Sequence, residues 1–108
     1  MARRASYISA DRYEAVRDEC KAYDSRLRMI AGDRVSDEII ECAKVLNDAF
    51  DRAVRDTGIE SYEAKVLRLD MIRGYGWCKS DLCPIMSQET YVYHKRKFVM
   101  AVALVMGI

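Results

Sequence analysis

One proline and five glycines in 108 residues leave little turn chemistry. A β-sandwich or barrel needs a turn every 8 to 12 residues, so an all-β fold is excluded. No glycine-rich phosphate loop and no His-Glu-x-x-His pair occurs, and no cysteine–histidine pair has an orienting acid in register. Carboxylate pairs such as Glu14/Asp18 and Asp37/Glu41 stand four residues apart on helix faces, as solvated charges rather than a sequestered acid–base dyad. No enzyme, cofactor or catalytic residue is expected. The longest apolar run, Phe98 to Ile108, is too short to span a bilayer. No apolar run follows Met1-Ala2-Arg3-Arg4, so no secretory signal is expected either. The four cysteines, Cys20, Cys42, Cys78 and Cys83, then read as reduced, buried or half-buried thiols in a cytoplasm. Cys78 and Cys83 with His94 lack a fourth zinc ligand, so no metal is expected. His94 itself falls on an apolar seam and reads as a core histidine with a polar partner.

Hydrophobic residues make up 51% and charged residues 32%, the balance of a folded chain of 12.4 kDa. The net charge is only +1, but it is unevenly spread. Residues 1–71 carry 13 Lys and Arg against 15 Asp and Glu; residues 72–108 carry 5 against 2.

Helical periodicity runs throughout. Over Ser9 to Ile30, the residues Tyr13, Val16, Cys20, Tyr23, Leu27 and Ile30 form a seam of alternating three- and four-residue steps. Ser9 is the predicted cap and Gly32 the stop. From Asp37 to Arg55, capped by Ser36, the corresponding seam is Ile39, Ala43, Leu46, Phe50 and Ala53. The short connection folds the two helices into an antiparallel hairpin. A third helix runs from Ser61 to about Arg73 and is broken by Gly74-Tyr75-Gly76. A short helix is expected over Trp77 to Leu82, then a turn at Cys83-Pro84-Ile85-Met86. Ser87 caps a long last helix, whose final two turns are apolar almost all round and need a cover. The expected architecture is all-α with about five helices: an N-terminal hairpin over residues 1–58, packed on a helix-turn-helix unit over 59–108.

In that unit the last helix would lie in a DNA major groove. Gln88, Glu89 and Tyr93 would face base edges; Thr90, Lys95, Arg96 and Lys97 would hold phosphates; Arg73 and Lys79 would flank the backbone. The stretch Ser87-Gln88-Glu89-Thr90-Tyr91-Val92-Tyr93-His94-Lys95-Arg96-Lys97-Phe98 resembles the recognition helix of small phage transcriptional regulators of the ArpU/RinA kind, and Val105-Met106-Gly107-Ile108 resembles their ending. The resemblance covers roughly Tyr62 to Ile108. It implies a sigma-factor-like fold and a phage or prophage protein that binds double-stranded DNA and regulates transcription. Glu89 departs from the family, which often has Arg or Lys there. A homodimer would let two recognition helices read successive half-sites. The alternative is a small phage-encoded inhibitor or adaptor. It would grip a host protein, such as a defence nuclease or RNA polymerase, through an acidic face of Asp33, Asp37, Glu38, Glu41, Asp48 and Asp51.

Overall fold

The computed structural model describes residues 9–32 and 34–108. Four α-helices follow in order: α1 (Ala10–Gly32), α2 (Asp37–Arg55), α3 (Ser61–Arg73) and α4 (Gln88–Met106). A single 3-10 turn, Trp77–Lys79, stands between α3 and α4. The described chain is all-helical.

Local chemistry sets the helix ends. The hydroxyl of Ser36 accepts the Ile39 amide at the start of α2, where Asp37 and Glu38 add favourable charge. The hydroxyl of Ser87 accepts the Thr90 amide at 3.2 Å and starts α4. Gly74 ends α3 at φ 72°, a left-handed conformation in which a Cβ would be strained.

The core is assembled from all four helices. Val16, Cys20 and Tyr23 of α1 meet Phe50 and Val54 of α2, Leu67 and Met71 of α3, and Tyr91, Phe98 and Val102 of α4. Tyr23 and Phe50 lie 4.7 Å apart between ring centres, and Phe98 meets Phe50 edge-on at 5.9 Å. Tyr91 bonds Asp70 and His94 reaches Glu63, while Arg17 bonds the Ile72 carbonyl and Arg68 bonds Asp24. Helices α4 and α1 therefore both run antiparallel to α3 and parallel to each other. Helix α2, joined to α1 through Tyr23–Asp51 and Arg26–Asn47, runs antiparallel to both.

Three sequence expectations need correction. The hairpin seam is rotated: Tyr13, Leu27, Ile39 and Leu46 are exposed, while Arg26, Asn47 and Val54 turn inward. Arg26 Nε donates to Asn47 Oδ1 at 2.6 Å, Asn47 Nδ2 donates to the Tyr23 carbonyl, and Arg26 also pairs with Glu19. These partners make burial of polar groups tolerable. The helix expected over Trp77–Leu82 is reduced to the 3-10 turn. Ser80 adopts an extended backbone and its hydroxyl accepts the Leu82 amide, which ends the helical path. Of the cysteines, Cys42 and Cys78 are exposed rather than buried.

Burial pushes the Cys20 thiol up to about 12 from 9.0. Burial, then a hydrogen bond to Asp51, pushes the Tyr23 phenol up to about 12 from 10.0. Burial and a hydrogen bond to Asp70 likewise raise Tyr91. All three are neutral in the fold and ionise more easily once unfolded. Their stabilisation is therefore complete below pH 9 and is lost as the pH rises toward 12. Urea midpoints followed by circular dichroism should fall through this window, and Tyr91→Phe should flatten the fall. An unchanged midpoint across it would contradict the burial of these groups.

Candidate nucleic-acid interface

The loop from Gly74 to Ser87 is held at both ends. Trp77 Nε1 donates to the Met86 carbonyl at 2.9 Å, closing the loop on itself. Leu82 is buried beneath it. Asp70, buried in α3, accepts the Tyr91 hydroxyl at 2.8 Å and fixes α3 against α4.

This loop gathers cations around Tyr75. Arg73, at the end of α3, places its guanidinium carbon 5.8 Å from the Tyr75 ring centre. Lys79, from the 3-10 turn, places Nζ 5.7 Å from the same ring. Lys95, from the second turn of α4, donates to the Tyr75 carbonyl at 2.9 Å. Arg17 of α1 joins them from behind, donating to the Ile72 carbonyl at 3.1 Å. Three elements thus converge on one tyrosine, and a fourth, α1, holds the end of α3 beside it. Each cation–ring contact at an exposed site contributes about 0.5–1 kcal/mol, enough to orient a side chain without immobilising it.

The outer face of α4 is a separate group. At 100° per residue, Glu89, Val92, Tyr93, Arg96 and Lys97 share one side of the helix, and Lys95 lies on another. Tyr93 and Arg96 are exposed, and Lys97 stands over the Tyr93 ring at 5.0 Å. Gln88 and Glu89 are exposed in the first turn; the Thr90 hydroxyl accepts from Ser87 at 3.0 Å. His94 is half-buried, its Nδ1 2.5 Å from Glu63 Oε2 of α3.

The structure therefore divides the nine residues read from the sequence. Gln88, Glu89, Thr90, Tyr93, Arg96 and Lys97 line the exposed start and outer side of α4. Arg73, Lys79 and Lys95 belong to the Tyr75 cluster. Lys95 is half-buried, and burial lowers its pKa from 10.5. Tyr75 is the centre of the cluster, and nothing in the spacing of the sequence marks Arg17 as the residue that holds the end of α3 beside it. Among the described residues, no group of three or more His, Cys, Asp and Glu side chains is placed to hold a metal ion, and no helix is long and apolar enough to cross a membrane. Comparison with known proteins finds no family, no curated protein and no solved structure that matches this chain.

Proposed function

We propose that the chain binds double-stranded DNA through α4 and the Gly74–Ser87 loop, as a dimeric phage or prophage regulator of transcription in the host cytoplasm. One observation carries this reading. Cations from α3, the loop and α4 converge on Tyr75, beside the α4 helix whose first turn and outer side are bare. Arg73 and Lys79 are poised to meet phosphates, while Gln88, Glu89, Tyr93 and Arg96 have the reach and donor–acceptor groups to read base edges. The resemblance of Ser87–Phe98 to phage regulators of the ArpU/RinA kind points the same way. The loop holds a 3-10 turn where a helix-turn-helix has a helix; in this reading that turn would brace α4 in the helix's place.

Fluorescence anisotropy against random duplex DNA across a salt series tests the reading. Binding should fall steeply with salt, and Arg96→Ala with Lys97→Ala should reduce the slope by about one unit per lost phosphate contact. Arg73→Ala with Lys79→Ala should do the same. No binding at low salt would overturn it.

A second reading, the grip on a host protein, draws on the outer surface of α2. Asp37, Glu38, Glu41 and Asp48 are exposed there. Asp51 already accepts the Tyr23 hydroxyl, and Asp33 lies outside the described residues. Silence toward DNA together with co-purification of one host protein would select it.

A further inference from the structure

Helix α2 carries two seams, of which the core takes one and, from the other, Ala53. The inner seam is Ala43, Asn47, Phe50 and Val54, all buried. The outer seam is Ile39, Cys42, Leu46, Ala49 and Ala53, with the same alternation of three and four residues. Ile39 stays 48% exposed and Leu46 52%, and no charged residue interrupts the seam. Beside it, one heptad apart, stand Glu38, Val45 and Arg52. Because α4 runs antiparallel to α2, its last turns lie along the first half of α2 and bring Leu104, 77% exposed, and Val105 to the same end. From Ile39 to Ala53 the seam is roughly 21 Å long at about 1.5 Å per residue.

We propose that this outer seam pairs with the α2 helix of a second copy of this chain, antiparallel, about a two-fold axis near Val45. Two features select that occupant and that orientation. In the antiparallel register, Ile39 meets Ala49 of the partner subunit and Leu46 meets Cys42 of the partner subunit, large against small in every layer. A parallel pair would set Ile39 on its own copy and Ala49 on its own copy, crowding one layer and emptying the next. The flank agrees. Antiparallel pairing brings Glu38 to Arg52 of the partner subunit, twice by symmetry, and Val45 to its own copy on the axis. Both charges are exposed, and neither forms an ion pair within the chain among the described residues. The acidic start and basic end of α2 are thus complementary to themselves in reverse.

The pairing deepens the dimeric part of the DNA-binding reading, but it is measured without DNA, so either can fail alone. Sedimentation equilibrium of the full chain, from low to several hundred micromolar, should give a dimer. Leu46→Glu and Val45→Glu should each give a monomer whose helical circular dichroism is unchanged. Glu38→Arg or Arg52→Glu alone should weaken dimerisation about tenfold, since two exposed pairs turn repulsive. The two reversals combined should bring it back to within about threefold of the original. A monomer at every concentration would overturn the proposal, as would a dimer that survives both glutamate substitutions. A double reversal no better than the singles would overturn the antiparallel register.

Discussion

Replacing Phe98 with alanine should cost about 3–5 kcal/mol of folding stability, read as the shift in a urea unfolding curve. The ring is fully buried and meets Phe50 edge-on at 5.9 Å, and Phe50 in turn packs on Tyr23 at 4.7 Å. These three rings tie α4 to α2 and α2 to α1. Each neighbour is anchored by its own helix, so the space left by the ring cannot close without moving a helix. A domain of this size is stable by roughly 5–15 kcal/mol, so the loss is a large share of the total. Phe98→Leu, which keeps most of the volume, should cost less than about 1.5 kcal/mol. If Phe98→Ala cost as little as Phe98→Leu, the three-ring junction would not be the centre of the core.

Much of the architecture was legible because it depends on local chemistry. Ser36 and Ser87 cap the helices they were expected to cap, and Gly74 stops α3 as a left-handed glycine should. The outward orientation of Glu89, Tyr93 and Arg96 follows from helical spacing alone. The errors have a common physical origin. In α1 the seam after Tyr23 can continue by three residues to Arg26 or by four to Leu27, and hydrophobicity favours Leu27. The fold takes Arg26, because α2 offers Asn47 at the same level. A pattern within one helix holds no information about what the facing helix supplies. The same blindness hid the outer seam of α2, since Ile39 and Leu46 look like core residues until the partner helices are in place.

The candidate interface was legible in the same uneven way. Its α4 residues follow the period of one helix. The Tyr75 cluster depends on how a glycine-flanked loop folds back, which the sequence does not encode in any period. In a helix-turn-helix layout Lys95 falls among the phosphate-holding residues with Arg96 and Lys97. The fold instead turns it to the Tyr75 carbonyl, where it holds the loop against α4. Arg17 sits far away in sequence, and it reaches the end of α3 only because α1 packs across it.

The buried polar pair that rotates the hairpin seam leads to the second large effect. Asn47→Leu restores the apolar heptad of α2 on paper, yet it should destabilise the fold by about 2–3 kcal/mol, the range for a buried charged group losing its hydrogen-bond partner. Arg26, whose side chain is about 10% exposed, would keep Glu19 but lose the 2.6 Å bond from Nε. Arg26→Leu alone should cost less. Asn47 retains its bond to the Tyr23 carbonyl, and Glu19, still partly exposed, can be hydrated. The double change Arg26→Leu with Asn47→Leu removes both polar groups at once and should recover most of the Asn47→Leu loss, because two apolar side chains of suitable volume can replace a buried polar pair at little net cost. The coupling in this double-mutant cycle should be about 1–3 kcal/mol in favour of the matched pairs. Additive losses would mean that Arg26 and Asn47 are buried independently. In that case the rotation of the seam would have to come from the tighter packing of Val54 and Phe50 against α4, and Val54→Ala would then expose Asn47 where Arg26→Leu does not.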